Sequence, residues 1–334
     1  MSVLVGLRAA WEIFYSGHFI TLPIPKPIPG IEHQTIVVTG SNVGLGYEAS
    51  QHLLRIGVGR LIMAVRNIDK GQDAREKLLE ATGRKPEAVE VWELDMCSYD
   101  SVKSFAKRTT ETLTRLDAVL ANAAICTTNF ALDEGYERSL TVNVVSPTLL
   151  LLLLLPKLRE APSVGRFSFV SSKVHCLVDM AQLRPVQGTG PILERLSDKN
   201  TANMENRYFL TKLLALYATR NIAKAMSASG KKEAVVNAPN PSYCISELER
   251  ESSGFSLKFK HIVMGARSSD MGSRALVHGV LAGKETHGAF LNDCHPEKPG
   301  ATVIGKEGQA IGEAFVKELL ETLEAISPGI TENI

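Results

Sequence analysis

The 334 residues contain no CxxC pair, no long basic run and no unbroken apolar run of bilayer length. Each absence removes a class of protein. The five cysteines (Cys97, Cys126, Cys176, Cys244, Cys294) are odd in number and scattered. That pattern argues against a disulfide framework or a zinc site and for free thiols in a reducing, intracellular setting. Lys plus Arg total 37 against 36 Asp plus Glu, so no bulk charge attracts nucleic acid. The eight histidines show no metal-ligand spacing. The run Leu149 to Leu155 is stopped by Pro156, Lys157 and Arg159, well short of the ~20 apolar residues a spanning helix needs. It reads as a buried helix, or one buried at a subunit contact.

What is present is an ordinary globular balance, 44% hydrophobic and 22% charged. From residue 34, short apolar or β-branched runs alternate with helical ones. Strands are expected at 34–39, 60–65, 88–94, 118–122, 166–171, 233–238 and 288–292. Helices are expected near 44–56, 69–82, 99–113, 137–158, 205–226 and 271–283. Such alternation implies βαβ crossovers and a parallel sheet covered on both faces. The fold class is therefore α/β, with one doubly wound Rossmann-type domain over 34–293. A C-terminal helical extension, 294–334, contains an amphipathic helix at 307–326.

Residues 1–33 form a separate N-terminal element. MSVLVGLRAAWEIFYSGHFI puts Leu4, Leu7, Trp11 and Phe14 on one helical stripe, and PIPKPIP (23–29) follows as a stiff spacer. The segment lacks a signal peptide's basic start and cleavage site. Packing against the body or lidding a pocket fits it best; resting on a membrane surface and targeting are the alternatives.

The first strand runs into Thr39-Gly40-Ser41-Asn42-Val43-Gly44-Leu45-Gly46 and then a helix. Glycines here let the backbone turn tightly and approach a pyrophosphate, and the helix N-terminus offers free N–H groups. Gly40, Asn42, Gly44, Leu45 and Gly46 are the candidate phosphate cradle. About 20 residues on, an NAD site would place a carboxylate; this chain has Arg66. A guanidinium suits a 2′-phosphate, so NADP(H) is the expected cofactor. Tyr208 and Lys212 share one helix face, with Cβ atoms about 5–6 Å apart. Tyr99 and Lys103 repeat the spacing and read as a surface coincidence.

In combination, these motifs resemble the short-chain dehydrogenase/reductase family from about residue 34 to 250. TGSNVGLG is similar to its TGxxxGxG turn, LANAA (120–124) to its NNAG segment, and YFLTK to its Tyr-Lys motif. The resemblance implies that Asp95 holds the adenine and that Asn122 lies beside the cofactor. It gives Asn143, Ser172, Tyr208 and Lys212 the catalytic roles: Tyr208 as proton donor or base, Lys212 lowering its pKa and binding ribose, Ser172 fixing the substrate oxygen, Asn143 holding a relay water. NPSYCISEL resembles the segment covering the nicotinamide, assigning Ile245 and Ser246 to cofactor binding. The ends of the chain look most like fungal members of secondary-metabolite pathways.

Three features depart from the pattern. Ala121 and Ala124 replace Asn and Gly of NNAG, and Ser242 replaces a Gly, so strain is expected wherever φ must be positive. The stretch between Ser172 and Tyr208 is also long, and is expected to form a pocket wall or lid. His175 is expected to be structural. The expected protein is an NADP-dependent oxidoreductase acting on a carbonyl or alcohol of a lipophilic small molecule. The expected location is cytoplasmic, or peripheral to an intracellular membrane, with homo-oligomers through the leucine-run and Tyr208 helices. The alternative is an NADP-binding regulatory protein with a relict site.

Overall fold

The β-branched run Thr35–Thr39 forms strand β1, buried along its whole length, as a strand covered on both faces requires. The computed structural model describes residues 3–185, 190–245 and 263–334. Strand β1 pairs in parallel with β2 (Arg60–Val65), which pairs with β3 (Val89–Glu93). On its other side β1 pairs with β4 (Ala118–Ala121). A detached ribbon joins β5 (Leu132–Asp133) to β6 (Tyr136–Glu137). Beyond β4 the main sheet continues through β7 (Gly165–Phe169), β8 (Ala234–Asn240) and β9 (Phe290–Asn292), and ends in the antiparallel β10 (His295–Glu297). All seven expected strands are present. The three unforeseen ones, β5, β6 and β10, have two or three residues each, too few for an alternating pattern to register. Strand order reverses between β1 and β4, which opens a ligand crevice at the carboxyl ends of the strands.

Among the described residues, eight longer helices flank this sheet: α1 (Val3–Phe19), α2 (Gly44–Arg55), α3 (Ile68–Thr82), α4 (Tyr99–Thr112), α5 (Arg138–Arg159), α6 (Arg207–Ala228), α7 (Ser269–Leu281) and α8 (Lys306–Ile326). Alternate residues of β1 feed two cores. Ile36 and Val38 pack with Leu53, Leu78 and Leu276 under α2, α3 and α7. Val37 packs with Phe105, Leu151 and Leu213 under α4, α5 and α6. Helix α5 is apolar and long enough to cross a bilayer, but it is a core helix, and of its leucine run only Leu153 is less than fully buried. The chain's own C-terminal residues pack on α5 and α6. Leu319 and Leu323 of α8 join the core on α6. Asn333 Nδ2 donates to Leu152 O (3.0 Å) and Arg159 Nη2 to Ile334 O (3.0 Å).

Helix α1 packs on the body, though not by the expected stripe. Leu7 and Trp11 are exposed and Phe14 is half-buried; the side chain of Leu4 lies outside the described residues. The docking face is small and polar. Arg267 Nη2 donates to Ser16 O (2.9 Å), Ile20 O (3.2 Å) and Asp293 Oδ1 (2.8 Å). Ser16 Oγ donates to the same carboxylate at 2.7 Å. A Cβ on Gly17 would stand 2.1 Å from Gly265 O, so the backbones nearly touch there. The physical reason is the buried guanidinium. Unsatisfied buried donors cost several kcal/mol, and the helix end supplies acceptors for Nη2.

Replacing Arg267 by Met should therefore lower stability by about 3 kcal/mol, because Asp293 loses its buried partner. Ser16→Ala, which removes one hydroxyl, should cost about 1 kcal/mol. Urea unfolding measures both; an Arg267→Met protein as stable as wild type would disprove the anchoring.

Candidate active site

The crevice is built from the loops that leave β1, β4 and β7. Thr39 stitches the first two together: its Oγ1 accepts from the N–H groups of Asn122 (3.0 Å) and Ala123 (2.9 Å). Asn122 Nδ2 returns bonds to Thr39 O (3.0 Å) and Gly40 O (3.1 Å). Gly40 and Gly44 hold φ of 63° and 58°, the left-handed region that glycine enters at least cost. Gly46 is required by proximity, since a Cβ there would lie 2.4 Å from Gly40 O and 2.5 Å from Asn122 Nδ2. Val43 precedes α2 and offers no capping side chain, so the first-turn N–H groups remain open to an anion. Ser41 is fully buried, and no partner among the described residues reaches its Oγ. Open N–H groups and an orphaned hydroxyl in a tight glycine turn fit a pyrophosphate. A cleft of about 660 Å³ adjoins Asn42 and Gly44, with Lys70 and Lys77 of α3 on one rim and Ile245 and Ser269 on the other.

The remaining cofactor candidates are spread along this edge. Arg66 is exposed at the end of β2, beside Asn67, whose side chain caps α3 through Lys70 N at 2.8 Å. Leu45 packs on the core under α2 and α7. Asp95 shapes the turn after β3, its Oδ1 accepting from Cys97 N at 2.9 Å. Ile245 is exposed, and its N–H donates to Arg267 O at 2.9 Å. Ser246 lies outside the described residues.

Helix α6 brings Tyr208 and Lys212 to the crevice. Lys212 is buried; its Nζ donates to Val170 O at 2.7 Å and sits 5.4 Å from the centre of the Tyr208 ring. Burial pushes this amine down to about 8. Between the two, Thr211 Oγ1 donates to Tyr208 O (2.8 Å) and accepts from Asn143 Nδ2 (3.1 Å). The same Asn143 amide donates to Ile125 O and accepts from Ile125 N, both at 2.9 Å. Asn143 stands in a π-helical turn of α5, Thr141–Val145, a device found often at functional sites. Its side chain clamps the loop after β4 to α6, and protein partners occupy both ends of the amide.

Ser172 leaves β7 and caps the 3₁₀ turn Lys173–Leu177. His175, fully buried, reaches Ser172 O with Nδ1 at 2.7 Å, while Gly300 N–H donates to Nε2 at 3.2 Å. Nδ1 therefore carries the proton. Burial lowers the imidazole to about 4, so His175 stays neutral and serves to hold the turn. Lys173, the next residue after Ser172, was missed in the sequence. It is buried between Glu12 of α1 (2.8 Å) and Glu297 of β10. Its only sequence signal was its place beside the serine.

Two expectations are corrected. Tyr99 is buried rather than at the surface, its phenol pushed up by burial, and Lys103 pairs with Asp100 at 2.8 Å. Ala121 and Ala124 need no positive φ, so the departure from NNAG carries no strain of that kind; Ser242 does, at 65°. That conformation costs roughly 1 kcal/mol or more for a non-glycine residue, and Asn240 Oδ1 supports it by accepting from Ser242 N at 3.1 Å. The long stretch before Tyr208 is, in its described residues, a fastened wall. Leu183 and Leu193 are buried, and Glu318 of α8 accepts from the N–H groups of Ile192 and Leu193, both at 2.7 Å.

Lys212 yields a stability test. Its folded value, about 8, lies below the ~10.4 of a free lysine, so the unfolded chain binds more protons between the two. Stability then rises with pH across that window. Without added cofactor, Lys212→Met should melt above wild type at pH 7, and the gap should shrink as pH rises from 8 to 10. A gap that is constant with pH would contradict this account.

The short chain dehydrogenase family model matches residues 34–183. A short chain dehydrogenase/reductase, dmxR8, from Cryptosporiopsis sp. (strain 8999) is 39% identical over 96% of this chain and 98% of its own length. The short-chain dehydrogenase anuD of Penicillium roqueforti (strain FM164) is 37% identical over 96% and 85%. A short chain dehydrogenase structure from Shigella flexneri 2a, complexed with NADP, superposes with a TM-score of 0.56 at 20% identity, covering 78% of this chain and 96% of that one; this likeness is one of fold. Sharing more than a third of its residues with such relatives along nearly its whole length, this chain belongs to the short-chain dehydrogenase family.

Proposed function

We propose that this protein is an NADP-dependent oxidoreductase, moving a hydride between NADP(H) and a ketone, aldehyde or secondary alcohol of a lipophilic small molecule in secondary metabolism. The observation that carries the reading is the buried Lys212 ammonium 5.4 Å from the Tyr208 ring, on the helix that faces the glycine turn across the crevice. Exposed Arg66 at the end of β2 favours a 2′-phosphate, and the Shigella flexneri relative in fold was solved with NADP.

The nicotinamide, when bound, supplies or accepts the hydride. The chain's residues divide the rest. Gly40, Asn42, Gly44 and Gly46, with Ser41, would hold the pyrophosphate, and Asp95, Asn122 and Ile245 would bind the rest of the cofactor; Ser246, also expected to bind it, lies outside the described residues. In reduction Tyr208 Oη would give its proton to the carbonyl oxygen and take one back from solvent. Lys212 would stabilise the phenolate left behind by charge attraction, which a dielectric below that of water strengthens. Ser172 donates to the same oxygen and sets its distance from Tyr208.

NADPH oxidation with a panel of apolar ketones tests the reading. Tyr208→Phe should lower kcat by about 10²–10⁴-fold with NADPH binding intact. Wild type that binds NADPH and reduces nothing in such a panel would instead identify a regulatory protein with a relict site. Arg66→Asp should raise the KM for NADPH by about 10–100-fold and leave that for NADH nearly unchanged. Equal losses for both cofactors would sink the 2′-phosphate assignment.

A further inference from the structure

Helix α1 is turned inside out for a helix packed on a globular body. Such a helix ordinarily buries its apolar stripe; here Leu7, Trp11, Tyr15 and Phe19, spaced by four, are 48–65% exposed, and Ile24 beyond them is 66% exposed. The rings form one continuous surface, with centroids 6.4 Å apart for Trp11–Tyr15 and 5.3 Å for Tyr15–Phe19. The orientation is locked from the other side. Glu12 pairs with Lys173 at 2.8 Å, and Arg267 binds Ser16 and Ile20. Rolling the stripe inward would break these buried bonds. We propose that this outward face of α1 docks the protein on an anionic lipid surface.

Charge selects lipid over a second copy of the chain. Residues 1–31 contain a single carboxylate, Glu12, and it is committed to Lys173 and Arg8. Against this one acid stand Arg8, 83% exposed although paired with Glu12, and Lys26, which is exposed. Two copies meeting face to face would oppose like charges, whereas anionic headgroups complement them. Trp and Tyr favour the boundary between headgroups and acyl chains, and an amphipathic helix lying in that plane is held by its apolar face and basic rim. At 17 residues the helix is about 25 Å long, suited to lying flat and too short to span. The proposal stands independently of the reaction assigned to the crevice.

The test uses the full chain with vesicles of phosphatidylcholine alone or with ~30% phosphatidylserine, a content giving an anionic surface. The protein should co-float with the anionic vesicles, and salt should weaken the association. Only two tryptophans exist, Trp11 exposed and Trp92 buried, so a blue shift and quenching by brominated lipid report α1 alone. Replacing Leu7, Trp11, Tyr15 and Phe19 together by Ser should weaken flotation by at least about tenfold, while melting temperature and lipid-free NADPH oxidation stay at wild-type values. Arg8→Gln with Lys26→Gln should reduce binding to anionic vesicles only. Wild type that stays in solution with both vesicles, or a serine variant that floats as well as wild type, overturns the proposal. So does a lipid-free dimer that the four serines abolish, in a protein that does not float.

Discussion

The site depends on keeping an ammonium where water does not reach. Lys212 is shut between the end of β7 and the helix that carries it, and its Nζ donates a hydrogen bond to the backbone carbonyl of Val170. Such burial disfavours the charge, so the surroundings must fix the group rather than merely tolerate it. The adjoining residues do this through a chain of bonds: Thr211 to the Tyr208 carbonyl, Asn143 to Thr211, and Ile125 to Asn143 on both its N–H and C=O. One polar chain thus sets the position of α6, of the loop after β4 and of the π turn in α5. An apolar core under the same helices could not hold so specific a geometry, because packing alone tolerates small slides that hydrogen bonds refuse.

A second layer of charged contacts lies beyond the crevice. Lys173 ties the residue after Ser172 to α1 and β10, and Arg267 ties α1 to Asp293 beyond β9. Asn292 links these knots, donating to Glu297 at 2.8 Å and to Asp293 at 3.2 Å. The N-terminal helix is therefore wired to the strand end that holds the serine. Disturbing its inner face and disturbing its outer face are different experiments.

Much of this was legible in the chain. Strands β1, β2, β4 and β7 announce themselves as short apolar runs between helices, because burial on both faces leaves few polar positions. The glycine turn was readable because only glycine fits where Gly40 and Gly46 stand. The order of Asn122, Asn143, Ser172 and Tyr208 was readable because it follows strand order. The charged knots were not. Glu12, Lys173 and Glu297 look in sequence like three solvated charges, and 124 residues separate the last two; only the fold shows that they meet. The outward turn of Trp11 was hidden for the same reason, since Arg267, 251 residues after Ser16, decides which face of α1 docks. Tyr99 was misjudged because one tyrosine near a strand end carries no mark of burial.

The cover over α5 has a consequence for how the chain reaches its native state. The leucine run is complete by residue 155, yet the turn Ile330–Asn333 that packs on α5, and helix α8 that packs on the neighbouring α6, come some 150 or more residues later. Contacts so far apart close slowly, since the loop entropy must be met before they form. During synthesis a leucine-rich surface thus stands open for the time it takes to make the second half of the molecule. The nascent chain is at its stickiest in that interval, and the aggregation risk belongs to translation rather than to the finished protein.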